Sequence, residues 1–157
     1  MTQNQQSGNR GRREHGGPGA LSRWFQRKMN ARTNARIRRK GGKFMGMDLL
    51  ILHTVGRRSG QQRESPVTWF ADGADGRLIV ASGGGSRHPD WYVNLMAHPD
   101  RASIEVPGHG TVPVTPRRLE GAEREQAWQQ IVTAQPRYAK YQRKSDREYP
   151  LIRLTPR

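Results

Sequence analysis

Three segments of this 157-residue chain carry residue types suited to chemistry. The first is His53-Thr54-Val55-Gly56-Arg57-Arg58-Ser59-Gly60, with Arg63 just beyond. Its two glycines let backbone approach a ligand closely, and successive N–H groups in such a turn form a nest for an anion. Arg57, Arg58 and Arg63 add guanidinium forks that match phosphate or carboxylate. The spacing is not that of a nucleoside-triphosphate loop. The competing reading is a hairpin turn with solvated arginines. The second segment runs Ala81-Ser82-Gly83-Gly84-Gly85-Ser86-Arg87-His88-Pro89-Asp90-Trp91. Three successive glycines remove every Cβ, so a flat ring or a phosphate can lie against the chain, and the helix start that follows favours negative charge. The competing reading is a flexible linker. The third segment is Tyr138-Ala139-Lys140-Tyr141, followed by Asp146-Arg147-Glu148-Tyr149-Pro150. Tyrosines three apart share a helix face and suit either an aromatic ligand or core packing. The charged triplet reads as a surface ion-pair cluster or a turn. His53, His88 and His109 show no metal-ligand spacing, so no metal is expected. No Gly-x-Ser-x-Gly elbow occurs.

These segments need elements to position them. Leu49-Leu50-Ile51-Leu52 is a continuous apolar run, which predicts a strand buried on both faces ahead of the first segment. Residues 64–70 alternate and end at the turn Ala71-Asp72-Gly73. Residues 77–81 form a third strand, leading into the glycine run. Pro89 opens a short helix to about Ala97. Residues 102–106 and 111–116 flank Gly108-His109-Gly110 as a hairpin. A helix covers 121–134, with Ala127, Trp128, Ile131 and Val132 inward, and Pro136 breaks it. One or two helical turns carry the tyrosines at 138–144, and a last strand spans 151–154. Five or six short strands with a few helices define an α+β domain, mainly antiparallel, whose strands avoid exposed edges by curling into a barrel.

Composition divides the chain. The first forty residues hold eleven Lys/Arg against one acid, Glu14, leaving 17 and 12 for the rest, so about +10 of the +15 net charge precedes residue 41. Residues 1–20 read as a disordered basic tail. Residues 21–40 read as a basic amphipathic helix with Leu21, Trp24, Phe25 and Met29 on one face, stopped by Gly41-Gly42. That face either touches an anionic membrane surface or nucleic acid, or packs on its own domain, which spans 41–157. Cysteine is absent, excluding disulfides and thiolate chemistry. No run is long enough for a spanning helix and no secretory leader is present, so the expectation is a cytoplasmic protein, peripheral at the inner face of the membrane if the helix binds lipid.

Taken together, the segments resemble a known family. Leu49 through Arg63 with Ser65-Pro66-Val67 look like its first signature. Val80-Ala81-Ser82-Gly83-Gly84, then His88 to Leu95 and His98-Pro99, look like its second. Tyr138-Ala139-Lys140-Tyr141-Gln142 with Asp146-Arg147 and Pro150 look like its third. The family is that of actinobacterial deazaflavin-dependent nitroreductases and quinone reductases, and the resemblance covers about residues 40 to 156. It implies a split β-barrel of the flavin-reductase type and, as cofactor, coenzyme F-420, an 8-hydroxy-5-deazaflavin with a polyanionic phospholactate and oligoglutamate tail. By that resemblance Arg58, Ser59 and Arg63 hold the tail. Val80, Ala81, Ser82, Gly83 and Gly84 line the ring, and Pro89, Trp91 and Asn94 complete the groove. Ser82, Tyr138 and Tyr141 are the expected catalytic groups: Ser82 bonds cofactor or acceptor, and a tyrosine orients the acceptor or donates a proton. The implied reaction is hydride transfer from the reduced deazaflavin to a small-molecule acceptor, a quinone, nitroaromatic or enone.

The chain departs from the family in three places: Gly83 stands where the family often has a lysine, so that one cofactor contact is lost or supplied by Arg87, and Thr68 and Gln135 stand where it has an aromatic and a tyrosine; these differences open or repolarise the acceptor pocket. The N-terminal helix varies across the family and associates with membrane in some members. Two other readings compete: a non-enzymatic split barrel that binds anionic lipid or nucleic acid through its basic N-terminus, and a split barrel that uses FMN or haem. The Arg-rich loop favours a longer anionic tail than FMN carries. Nucleic acid is not expected, because aromatic residues do not interleave the basic tail. Split-barrel relatives include both dimers and monomers.

Overall fold

Strand β2 (Met47–Val55) shows how the sequence builds the molecule. Leu50 and Leu52 point to one side, into a core with Val67, Ile79, Ile104, Ile152 and Leu154. Leu49 and Ile51 point to the other and are covered by Ile37 of helix α1 (Ala20–Lys40). The apolar run does not alternate because both faces are buried, as expected. The computed structural model describes residues 20–83 and 86–157, with side chains from residue 23 onward. The expectations for the tail to residue 19, for the Leu21 side chain and for Gly84 and Gly85 lie outside the described residues.

The remaining strands are β1 (Lys43–Phe44), β3 (Gln62–Asp72), β4 (Gly76–Val80), β5 (Ser103–Val106), β6 (Gly110–Arg118) and β7 (Leu151–Pro156). All pairings are antiparallel, in the order β2-β3-β4-β7-β6-β5, and β5 pairs back onto β2 to close a six-stranded barrel. β1 is a two-residue strand on the edge of β2. Closure removes the free edges that an open sheet would leave. The barrel interior holds one core. A second core lies outside, where Leu78 and Val80 of β4 and Leu151 of β7 meet Ala127 and Ile131 of α3 (Gly121–Ala134) and Tyr138 of α4 (Arg137–Arg143). Strict alternation along β4, with Leu78 and Val80 outward and Ile79 inward, sends its side chains to two different cores.

Two departures from the sequence reading have simple causes. β2 runs on through His53, Thr54 and Val55, and β3 begins earlier, at Gln62 and Arg63, because Leu49↔Thr68 to Val55↔Gln62 form an unbroken ladder whose backbone bonds do not depend on apolar side chains. The Trp24/Phe25 face of α1 does not pack on the barrel: Trp24 is 47% exposed, Phe25 60% and Met29 56%. α1 is instead held near its C-terminal end, where Ile37 is buried and Arg38 pairs with Glu105 at 2.6 Å and Glu64 at 2.9 Å. Gly41 (φ +89°) turns the chain after α1. Gly42 then lies so tightly on β2 that a Cβ there would sit 2.2 Å from the Leu49 carbonyl oxygen.

Candidate functional site

The first loop is a closed turn. Gly60 N–H donates to the Gly56 carbonyl at 2.9 Å, and Gly56 N–H donates to the Gln61 carbonyl at 2.8 Å. Ser59 Oγ accepts from Gln61 N–H at 3.2 Å. A methyl group on Gly56 would lie 2.4 Å from Ser59 Oγ and displace it from its bond to Gln61, and Gly60 adopts φ +68°. Arg57 and Arg58 are exposed and Arg63 is half-buried. Arg63 donates only weakly, to Gln61 Oε1 at 3.3 Å and the Gln62 carbonyl at 3.4 Å. Among the described residues none of these three arginines has a carboxylate partner, whereas Arg38, Arg117, Arg124 and Arg153 each do.

The second loop leaves β4 after Val80. The Val80 side chain enters the outer core and Ala81 enters the barrel core, so each turns backbone rather than side chain to the loop surface. Ala81 N–H donates to the Pro150 carbonyl at 2.9 Å. Ser82 is half-buried and Gly83 is exposed. A Cβ on Gly83 would meet only Pro89 Cβ, at 3.9 Å, so the position has room for a side chain. The carbonyls on either side of Ser82 are held by one guanidinium: Arg147 Nη1 donates to Ala81 O at 2.9 Å and Nη2 to Gly83 O at 2.7 Å. Arg147 lies 4.9 Å from the centre of the Tyr149 ring. In the sequence Arg147 stands out as part of a charged triplet and of the third signature, with no role attached, because nothing local marks a contact between residues 64 apart. Glu148 of that triplet does pair with Arg124, at 3.1 Å.

Helix α2 (Asp90–Ala97) connects the two loops. Pro89, buried, precedes its first residue and lies beside Gly83. Asn94 Oδ1 accepts from Arg57 N–H at 2.9 Å, and His98 Nε2 approaches the Arg57 carbonyl at 3.4 Å. The contacts at Pro89 and Asn94 are five residues apart, about 7 Å along the axis. Asn94 therefore faces the arginine loop, and half-buried Trp91 packs against the barrel core. His88 lies against Tyr92 and near Arg147 Nη1. Desolvation, then the charges of Arg147 and Arg118, lower its pKa, which favours neutral imidazole.

The tyrosines differ in environment. Tyr138 is 6% exposed and packs edge-on to Phe70, while Tyr141 is 46% exposed with its ring 5.7 Å away. Burial pushes the Tyr138 hydroxyl above the ordinary phenol value, and Thr68 pulls back against that shift. Tyr149 donates to the Tyr141 carbonyl at 3.0 Å, which joins α4 to the turn that presents Arg147. Beside Tyr138, a recess of about 260 Å³ is lined by Met47, Thr68, Phe70, Ala134 and Gln135 among others. Thr68 and Gln135, far apart in sequence, thus share one wall, and Gln135 also donates to the Gly46 carbonyl at 2.9 Å.

One cluster escaped the spacing argument. His53, Glu64 and Glu105 come together from β2, β3 and β5, with His53 Nε2 2.7 Å from Glu105 Oε1. Arg38 already occupies the carboxylates, so the cluster docks α1. Among the described residues no helix is long and apolar enough to cross a membrane.

Comparison with known proteins bears on this arrangement. Residues 23–156 match the family described as F420H(2)-dependent quinone reductase. The chain is 34% identical to an F420H(2)-dependent quinone reductase of Mycobacterium tuberculosis over 151 residues, covering 87% of this chain and 99% of that protein. Among solved structures, one described as the F420-H2 dependent reductase FDR-A is 38% identical, with a TM-score of 0.59, over 68% of this chain and 92% of that one. Another, described as a domain-swapped dimer, is 31% identical, with a TM-score of 0.61, over 86% and 99%.

Proposed function

Since this chain belongs to the F420H(2)-dependent quinone reductase family, we propose that its two loops are the ends of one cofactor groove, with the arginine loop at the tail and Ser82 at the ring. The protein is an oxidoreductase that uses coenzyme F-420 to reduce a quinone. The observation that carries the assignment of the ends is that, among the described residues, Arg57, Arg58 and Arg63 have no carboxylate partner beside a closed glycine turn. Guanidinium groups without carboxylates, carried on a turn closed by its own backbone bonds, suit a polyanionic tail. Gly83, exposed and uncrowded, leaves backbone open to a flat ring.

When bound, the reduced deazaflavin supplies a hydride. The chain's own residues do the rest. Arg58, Ser59 and Arg63 bind the tail, and Arg57 is aimed by the grip of Asn94 on its N–H. Val80 and Ala81 contribute backbone to the ring site, and Pro89 and Trp91 fix the start of α2. Ser82 Oγ orients the ring or the acceptor. Tyr138, protonated at neutral pH, holds its proton at Oη for the reduced acceptor, and exposed Tyr141 covers the acceptor's outer side. The recess lined by Thr68 and Gln135 accommodates acceptor substituents.

Titration with the deazaflavin, its tail-less riboside and FMN tests this reading. Arg58→Ala should weaken binding of the full cofactor by about tenfold and flatten its salt dependence, while binding of the riboside stays the same. Tighter binding of FMN, or indifference of the full cofactor to Arg58→Ala, contradicts the assignment.

A second reading concerns location. Trp24, Phe25 and Met29 are exposed on a helix rich in Arg and Lys that has no marked apolar face, so it is the cationic charge, with these side chains as anchors, that supports peripheral contact with an anionic membrane at the inner face of the cell. Co-sedimentation with phosphatidylglycerol vesicles should fall sharply for Trp24→Ala/Phe25→Ala while turnover of a water-soluble quinone is kept; equal sedimentation of both proteins rejects it.

A further inference from the structure

We propose that Arg147 is the positioning residue for Ser82: its guanidinium grips the carbonyls on both sides of Ser82 and so sets where the serine hydroxyl points. The inference rests on the assignment of Ser82 to the ring end of the groove and adds the group that acts through it.

Ser82 stands at a place where the chain has little else to hold it. It follows the last residue pair of β4, Val80↔Leu151, and the bond from Ala81 N–H to Pro150, and it precedes a residue without a side chain. A serine hydroxyl there is aimed by its backbone, and the backbone is free to rotate unless its carbonyls are tied. Arg147 ties both, at 2.9 and 2.7 Å, with two nitrogens of a planar fork. A single point donor cannot span two carbonyls in this way, so lysine is not an equivalent.

The clamp is itself built. Gln142 brackets the turn that carries it, donating to the Arg147 carbonyl at 2.8 Å and accepting from Tyr149 N–H at 2.9 Å. Ser145 Oγ donates to the same carbonyl at 3.1 Å. The guanidinium rests over the buried Tyr149 ring, and the Tyr149 hydroxyl donates to the carbonyl of Tyr141. His88 Nδ1 lies 3.4 Å from Arg147 Nη1, and neutral imidazole accepts there without repelling the cation. One continuous set of contacts therefore runs from α4, which bears Tyr138 and Tyr141, through Arg147 to the backbone around Ser82. Both sides of the proposed reaction centre are referred to one side chain.

The test is a double-mutant cycle on the full-length protein, read as kcat and KM with reduced F-420 and menadione. Misaiming a reacting group by about 1 Å costs up to about 100-fold, so Arg147→Ala and Ser82→Ala should each lower kcat by about 10- to 100-fold. In the Ser82→Ala background, Arg147→Ala should then cost about twofold or less, because the group it aims is gone. Millimolar guanidinium should restore turnover to Arg147→Ala but not to the double variant. Arg147→Lys, which keeps the charge and the stem, should lose rate in the same Ser82-dependent way and carries the cycle if the alanine variant does not fold. Additive penalties, or rescue that ignores Ser82, overturn the inference and leave the cofactor reading standing. A Ser82→Ala variant with unchanged turnover overturns both, and unaltered binding of the tail-less riboside by that variant shows which half of the reading failed.

Discussion

A buried phenol beside an apolar recess is the feature from which the chemistry of the acceptor side follows. Tyr138 is held neutral by desolvation, so its proton is available across the whole range in which the protein is handled. The sign is that of an acid whose neutral form burial favours, so loss of the proton requires a pH above the ordinary value of 10.0. The kcat profile should accordingly stay flat up to about pH 10 if Tyr138 is the donor, and Tyr138→Phe should lower it by about 100-fold without adding a new limb. A limb near neutrality that vanishes in Tyr138→Phe would refute this. At this scale the arginine turn, the Ser-Gly run and the tyrosine pair stood out in the sequence by residue type, and the roles proposed for Ser82, Tyr138 and Tyr141 came from the family resemblance. What was not legible was what Arg147 touches, since its bonds reach carbonyls more than sixty residues away; Thr68 of β3 and Gln135 after α3 were put on the acceptor side by the family resemblance alone, and they do line one recess.

In the proposed groove, α2 is the element that joins the two motifs. It is eight residues long, starts beside Gly83, and uses a single side chain, Asn94, to hold the arginine loop from the other end. Loss of one such hydrogen bond costs about 1 kcal/mol, roughly fivefold in affinity. Asn94→Ala should therefore weaken the full cofactor by about fivefold and leave the tail-less riboside unaffected; equal loss for both ligands would move Asn94 to the ring end. The start of this helix was readable from Pro89, and β4 from its branched residues. β1 was not, because two residues carry no period. The polar extensions of β2 and β3 were not either, because a ladder's backbone bonds leave no trace in composition.

Across the whole molecule, alternation along the strands and the two-faced burial of β2 made an antiparallel barrel legible, but not where it shuts. Closure rests on three residue pairs between β2 and β5, Ile51↔Glu105, Leu52↔Ile104 and His53↔Ser103, against seven between β2 and β3. Arg38 reaches over β2 to grip Glu105 on one neighbour and Glu64 on the other. The Arg38 bond, with help from His53, holds the Glu105 carboxyl down to about 2 despite an opposing desolvation. A lowered carboxyl pKa contributes stability that is present above the unfolded value, 4.5, and fades as pH falls toward about 2. Glu105→Gln should thus destabilise the protein by about 1 kcal/mol at neutral pH, given the partial exposure of the pair, and by progressively less in acid, with faster amide exchange at 34–40 and 51–53. A destabilisation that persists at pH 2 would place the effect elsewhere.

The way α1 is mounted has a mechanical consequence. At 1.5 Å per residue its 21 residues extend roughly 30 Å, of which only the stretch around 34–38 is seated on the barrel. The pivot is the Gly41-Gly42 pair, and there the Gly42 carbonyl accepts from Leu49 N–H at 2.7 Å. About 20 Å of helix, ending in exposed aromatic rings, is therefore a lever whose short arm is the Arg38 clasp over the barrel's narrowest seam. A push on Trp24 bears, multiplied, on the contacts that Ile37 and Arg38 make with β2, β3 and β5.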